Sequence, residues 1–432
     1  MTSDAAGSPG RSALQARQVE KLRALLAAVL AGNSFYTAKL RTAGVDAGIA
    51  SLEEFSRRAP FTLKQELVDD QLRNPPYGTN LTYPLERYSR FNQTSGTTGG
   101  QPLRWLDTPE SWSWMLDCWA RVFEAADAGP RDRIFFPFSF GPFLGFWTAF
   151  EAATRMGSLA IPGGGMRSSA RLRVILDNDV TVVCATPTYA IRLAEVAAEE
   201  KLDLAAAKVR SIIVAGEPGG SIPATRALIE DLWPGARVVD HHGMTEMGPV
   251  SYECPNRRGV LHVIEAAYFA EVIDPQGLAA LGPGEAGELV LTNLGRAGSP
   301  LLRYRTRDLV RRAENERCEC GSYELALEGG ILGRTDDMVL VRGVNLYPSA
   351  VEQVLRSCGG VGEFRVEISG DSALPELNLR IEPASEHQEM TQLGQRVEAA
   401  FHNAFGLRVT VGCVNYGTLP RFEAKAQRWV RR

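Results

Sequence analysis

No run of this sequence approaches the roughly 18 consecutive apolar residues that a membrane-spanning helix needs, which disfavours a membrane protein. No charge of one sign dominates: 47 Lys+Arg face 51 Asp+Glu, a formal net charge of −4, which argues against a nucleic-acid partner. Cysteine is scarce and odd in number, seven in 432 residues. The apolar stretch Ala24–Gly32 starts too far in, behind Asp4 and Glu20, to act as an export leader, and Val19–Leu30 reads as a helix. That combination predicts a cytoplasmic protein in which neighbouring cysteines serve metal binding or catalysis before disulfides. Repeats and low-complexity tracts are absent. What remains lies near globular averages, 44% hydrophobic and 23% charged, so a disordered chain is disfavoured too.

At about 150 residues per domain, the length predicts two to three domains. Residues 1–12 are small and polar and read as a frayed end. Arg133–Phe138, Thr181–Cys184, Val209–Val214 and Arg237–Asp240 read as short buried strands, followed by polar turns and often by helices such as Ala224–Leu232. This alternation predicts an α/β fold with a parallel-rich sheet, in which ligands gather beyond the carboxyl ends of strands. Shorter strand-like runs within Val263–Arg312 suggest a small β unit, at about 250–330. After Gly333 a helix at Pro348–Arg356 and strands near Phe364–Ile368 and Glu376–Ile381 suggest a compact terminal α/β domain.

Five segments carry chemistry. Gln93–Pro102 (QTSGTTGGQP) interleaves hydroxyl residues with glycines, leaving free backbone N–H groups suited to phosphate oxygens; it lacks the Gly-Lys-Ser/Thr of a Walker loop. His241–Gly248 (HHGMTEMG) follows a strand and offers Thr245 to a phosphate and Glu246 to Mg²⁺. The same residues also fit a helix start, with Thr245 as cap. Tyr304–Asp308 (YRTRD), Gly333–Met338 (GRTDDM) with Arg342-Gly-Val-Asn345 after it, and Leu419–Lys425 (LPRFEAK) complete the set. Each alone is also an ordinary turn or charged strand end.

Taken in this order, the five resemble an adenylate-forming enzyme of the acyl/aryl-CoA synthetase superfamily. YRTRD in place of YxTGD, RGVNLYP after GRTDDM, and AGEP at Ala215–Pro218 are most similar to the phenylacetate–CoA ligase branch. The resemblance spans about residues 85–432 and implies a large adenylation domain (1–335) and a small mobile C-terminal domain (336–432) hinged at Asp336. It implies that Thr94, Ser95, Gly96, Thr97, Thr98 and Gly99 hold the β- and γ-phosphates of ATP. Gly216, Glu217, Pro218, His242 and Gly243 would surround the adenine, Thr245 would touch the α-phosphate and Glu246 would hold Mg²⁺. Asp308 would accept from the ribose hydroxyls. Arg334 would lie near the nucleotide, and Gly343, within Arg342–Asn345, would border a channel for coenzyme A. Lys425 would bridge the substrate carboxylate and the α-phosphate, where a fixed ammonium offsets developing charge. Three positions depart from the family pattern: Gln101 for the lysine closing the glycine loop, His242 for tyrosine, and Ala424 for glycine.

The segment matching the acyl pocket, Phe135–Phe150 (FFPFSFGPFLGFWTAF), supplies Phe136, Ser139, Phe140, Gly141 and Phe143, joined by Gly216 and Gly243. No carboxylate occurs between Ile134 and Phe150, so an amino-acid ammonium would lack a partner and an aryl acid is favoured; some of these rings must simply be sheet core. Cys254, His262, Cys318 and Cys320 form two pairs of ligands suited to a structural zinc, with free thiols as the alternative. Cys118, Cys184, Cys358 and Cys413 read as core. The expected activity is an ATP-dependent aryl–CoA ligase. Delivery to a carrier-protein phosphopantetheine and a non-catalytic nucleotide-binding relative are the alternatives, and the branch suggests a homodimer.

Overall fold

Apolar periodicity accounts for the first element. In a computed structural model, which describes residues 10–94, 101–369, 376–423 and 425–431, a helix runs Arg11–Gly32. It buries Leu14, Gln18, Leu22, Leu25, Leu26 and Val29, spaced three and four apart along one face. The helix thus includes Arg11, inside the stretch expected to be frayed, and Arg11 pairs with the buried Glu265. Asn33 ends this helix and caps the next, Ser34–Thr42, its side-chain oxygen accepting from Tyr36 N at 3.1 Å.

The chain divides into two compact units, Met1–Gly165 with Asp240–Gly330, and Met166–Val239 with Ile331–Arg432. In the first, the N-terminal helices pack with Phe269 of a six-stranded sheet and with Leu294 and Leu302 from a connection between two of its strands. Its strands stand in the order Ser251–Glu253, Val260–Val263, Ala326–Arg334, Tyr304–Arg312, Ala286–Asn293, Tyr268–Ile273. The pairs Ser251–Glu253/Val260–Val263, Val260–Val263/Ala326–Arg334, Tyr268–Ile273/Ala286–Asn293 and Ala286–Asn293/Tyr304–Arg312 are antiparallel. The first unit also holds the parallel pair Arg133–Phe136 and Leu159–Pro162; the second strand escapes the sequence pattern because its residues are half-exposed.

In the second unit, Val182–Ala185, buried throughout, runs parallel to Ser211–Val214. Pro187–Glu199 and Pro223–Leu232 follow as helices, each with proline in its first turn, where the missing N–H has no helical partner to lose. Toward the C-terminus of this unit, strands stand in the order Thr410–Cys413, Glu376–Pro383, Val361–Ser369, Trp429–Arg431. Helices Pro348–Ser357 and Met390–Phe405 bury Val351, Leu355, Leu393, Val397 and Phe401 against Phe364, Val366, Leu379 and Ile381. The fold is α/β with parallel-sheet and β components, as expected. Cys118 and Cys184 are core, whereas Cys358 and Cys413 are only partly buried, at the edge of the C-terminal core rather than in it.

Candidate active site

The glycine-rich loop leaves one strand, Arg90–Gln93, and re-enters its antiparallel partner, Arg104–Asp107. Thr94 closes its base: its N–H donates to Leu103 O at 2.9 Å and its hydroxyl accepts from Leu103 N at 3.0 Å. Ser95, Gly96, Thr97, Thr98 and Gly99 lie outside the described residues.

The GMTE motif is a β-hairpin turn, not the helix start that its residues also fitted. Gly243–Met244 pairs antiparallel with Gly248–Pro249, and Thr245, Glu246 and Met247 form the turn. A Cβ on Gly243 would stand 2.8 Å from Gly248 O, so the approach of the two backbones demands glycine. Arg296, fully buried, pins the turn from behind. It grips Asp107 with two contacts of 2.6 Å and donates to Thr245 O at 2.8 Å and Glu246 O at 3.0 Å. The buried Glu246 carboxylate meets Lys64 Nζ at 3.0 Å and the Tyr304 hydroxyl at 3.3 Å. Both contacts fall on Oε1, so Oε2 is the oxygen that Mg²⁺ would take, with the Lys64 ammonium opposing a second cation beside it.

Asp308 sits in a bulge. Glu288 pairs with Leu309 while Val290 pairs with Arg305, so the strand carrying Asp308 has surplus residues there. Arg307, at φ 66°, takes the left-handed conformation that the glycine of YxTGD would adopt without strain. Its N–H donates to Glu288 Oε1 at 3.2 Å, and Glu288 is itself held by Arg305. His242 Nε2 lies 3.1 Å from Asp308 Oδ2, and His242 Nδ1 is buried without a hydrogen-bond partner.

Beside this pair, His241 is buried with Nδ1 2.6 Å from Ser251 O, and its ring lies 4.4 Å from Trp119. Phe136 is core, as the sheet-core alternative required, and meets Phe150 edge-on at 5.4 Å. Phe140 joins Phe138, Trp147 and Phe150 at 5.3, 4.8 and 5.3 Å. Ser139 and Phe143 are exposed and Gly141 is half-buried. Gly145, at φ 38°, is required because a Cβ there would strike Phe138 at 2.1 Å.

The second unit carries the other group. Gly216 has φ 94°, and a Cβ there would lie 3.5 Å from Lys425 Cε, so these two residues adjoin. Pro218 is exposed. Glu217 accepts from Thr188 N at 2.9 Å and Ala426 N at 2.8 Å, tying the Lys425 segment to the helix Pro187–Glu199. Burial raises its pKa above the ordinary carboxylate value, against those bonds and Arg428. Arg428 anchors the same segment by two contacts to Glu363, at 2.6 and 3.1 Å. Lys425 itself is exposed. Arg334 grips Asp336 through two contacts of 2.9 Å, both side chains about 40% exposed, and Gly343 turns the hairpin Val339–Val341 to Val344–Leu346 at φ 83°.

The four metal candidates converge: the ligand atoms of Cys254, His262, Cys318 and Cys320 all lie within 4.8 Å of one another. Cys254 Sγ is 3.7 Å from Cys318 Sγ, and Cys320 Sγ is 3.4 Å from His262 Nε2. Tetrahedral zinc–ligand bonds of about 2.3 Å to sulfur and 2.0–2.1 Å to nitrogen would separate such atoms by about 3.8 and 3.5 Å. His262 Nδ1 donates to Glu324 O at 3.2 Å, which leaves Nε2 as the ligating nitrogen. Burial lowers the His262 pKa, favouring the neutral ring that binds metal.

Sequence spacing missed Lys64, Arg296, Asp107, Glu288 and Trp119. All act through contacts distant in the chain, and no motif marks them.

Residues 91–296 match the AMP-binding enzyme family and residues 343–432 the AMP-binding enzyme C-terminal domain. The chain is 33% identical to a phenylacetate–coenzyme A ligase of Thermus thermophilus, over 92% of this chain and 88% of that protein. It is 30% identical to the phenylacetate–coenzyme A ligase of Escherichia coli, over 96% and 94% respectively. A crystal structure of 2-hydroxyisobutyryl-CoA ligase in the postadenylation state, complexed with 2-HIB-AMP, superposes with a TM-score of 0.91 at 28% identity, covering 99% of this chain and 91% of that one. The fold and the ordered motifs therefore define an adenylate-forming enzyme, and the chain belongs to the phenylacetate–CoA ligase-like branch of that superfamily. It is an AMP-forming acid–CoA ligase, working from ATP and coenzyme A through an acyl-AMP. No described helix is long and apolar enough to cross a membrane.

Proposed function

We propose that the acid is aromatic, of benzoate, anthranilate or phenylacetate type. The observation that carries this is the cluster Phe138, Phe140, Phe146, Trp147 and Phe150, joined edge to face, in a segment with no carboxylate between Ile134 and Phe150. Flat apolar walls suit a ring, and nothing there would pair an α-ammonium. The phenylacetate specificity in the relatives' names supports the same class.

The substrate carboxylate attacks the α-phosphorus of ATP, the bond to pyrophosphate breaks, and an acyl-adenylate forms. Thr94–Gly99 cradle the phosphates, Gly216–Pro218 and His242 line the base, and Asp308 accepts from the ribose. Thr245 contacts the α-phosphate and Lys425 donates to the oxygens where charge develops, an effect of about 10²–10³ in rate. Magnesium held by Glu246 would supply further neutralisation of the phosphates. The C-terminal segment then turns about Asp336, beside Arg334, and withdraws Lys425. The coenzyme A thiol loses its proton and attacks the acyl carbonyl, the C–O bond breaks, and AMP leaves; Arg342–Asn345, with Gly343, border the thiol's path.

The test is acid-dependent ATP–pyrophosphate exchange over aryl, alkyl, small hydroxy and amino acids, with Lys425→Ala alongside. A response to aryl acids, falling about 10²–10³ in the variant, is expected; a response confined to 2-hydroxyisobutyrate or to amino acids would overturn the aromatic assignment. Thioester formed with free coenzyme A distinguishes this reading from loading of a carrier protein. Failure of every acid to support exchange would favour the non-catalytic relative.

Cys254, His262, Cys318 and Cys320 would hold a structural zinc, a reading supported by their separations. About one zinc per chain, lost in Cys320→Ser, is expected by elemental analysis. Substoichiometric metal in protein purified without chelator would sink it.

A further inference from the structure

We propose that His241 is a specificity-determining residue, presenting an unprotonated Nε2 to the acyl group and so selecting aromatic acids that carry a hydrogen-bond donor, a hydroxyl or an amino group. The proposal rests on the aromatic reading above and narrows it.

The imidazole is buried, 5% exposed. Its Nδ1 lies 2.6 Å from Ser251 O. A carbonyl can only accept, so Nδ1 carries the proton. Burial pushes the His241 pKa down to about 4, which keeps the ring neutral near pH 7. The remaining nitrogen, Nε2, is therefore a lone-pair acceptor. Among the described residues none donates to it: the ring's hydrogen bond is the one to Ser251.

Position gives this acceptor its meaning. Nε2 lies 3.4 Å from where a Cβ on Gly243 would stand, at the glycine expected to border the acyl group. The ring packs on Trp119 at 4.4 Å, Trp119 on Phe146 at 6.0 Å, and Phe146 on Phe138 at 5.8 Å. His241 thus ends a chain of rings that begins in the aromatic segment, and it supplies polarity where the others supply only faces. On its other side, His242 pairs with Asp308. An aliphatic side chain at 241 would fill the same space but offer the acyl group no acceptor.

The test uses pyrophosphate exchange with size-matched acids: 2-hydroxy-, 2-amino- and 2-methyl-substituted benzoates and phenylacetates. The wild-type kcat/KM is expected to favour a hydroxy or amino acid over its methyl counterpart by tenfold or more. In His241→Leu that ratio collapses toward one, whatever the absolute rates, and in His241→Gln, whose amide oxygen can accept, part of it survives. Wild-type protein that turns over these acids without preference overturns the proposal, and this needs no variant to fold. A preference that persists undiminished in His241→Leu overturns it as well. Silence toward every aromatic acid, with activity on another class, removes the aromatic reading and this proposal with it.

Discussion

Two glutamates in motif positions, Glu246 and Glu217, are held in opposite ways. Glu246 is buried in a hairpin turn and faces Lys64 and the Tyr304 hydroxyl, one full cation and one donor. Glu217 receives two backbone N–H groups, from Thr188 and Ala426, and burial raises its pKa. The first arrangement poises a carboxylate to meet positive charge. The second uses a carboxylate as a clasp, fixing the backbone beside Lys425 while leaving the lysine exposed. Membership of a motif therefore does not by itself assign chemistry; the partners of each oxygen do.

Arg296→Met is the strongest way to break this comparison. It would leave Asp107 buried and unpaired and release the carbonyls of Thr245 and Glu246. Stability should fall by about 3–5 kcal/mol, measured by denaturant unfolding of the first unit's signal. The double variant Asp107→Leu/Arg296→Met should recover much of the stability and little of the exchange rate, because the turn stays unpinned. Recovery of both would show that the arginine only balances Asp107.

Next in size, Glu246→Gln should lower pyrophosphate exchange by about 10²-fold and raise the Mg²⁺ concentration needed for half-maximal rate. Glu217→Gln keeps one acceptor oxygen and loses the other, so one of the two N–H groups is stranded. About 1–2 kcal/mol of stability should be lost, with roughly tenfold or less in rate. Equal losses in the two variants would erase the distinction between them. The pH dependence sharpens it. A carboxyl whose folded pKa is raised stabilises the fold below its unfolded value near 4.5, and that contribution disappears as pH rises through the folded value. The stability advantage of wild type over Glu217→Gln should accordingly shrink as pH climbs from 4.5, read by thermal unfolding at a series of pH values.

Much of this was legible in the chain because local chemistry recurs in a fixed order. Glu246, Asp308 and Lys425 stand in short motifs, and the four metal candidates announce themselves by residue type. The strand Val182–Ala185 is apolar throughout and was readable for that reason. Arg296 and Lys64 were not readable: each is an ordinary cation until the fold brings Asp107 or Glu246 to it. The hairpin at Gly243–Pro249 was hidden because Thr-Glu after glycine fits a helix cap equally well. The helix Met390–Phe405 shows the converse. Leu393, Val397 and Phe401 recur every four residues, a pattern present in the sequence but obscured by polar neighbours.

The smallest expected effect belongs to Arg307. Its φ of 66° is costly for a residue with a Cβ, by about 1–2 kcal/mol, yet the exposed side chain makes no hydrogen bond among those described, and the conformation is held through its N–H to Glu288. Arg307→Gly should relieve that strain and return part of the gain as lost unfolded-state restriction, leaving a net stabilisation of about 1 kcal/mol or less. Exchange activity should be unchanged, since Asp308 keeps its bulge and Glu288 its donor. A clear loss of nucleotide affinity in Arg307→Gly would mean that the guanidinium, and not only the backbone it distorts, serves the neighbouring carboxylate. The departure from glycine would then be a functional substitution rather than a tolerated one.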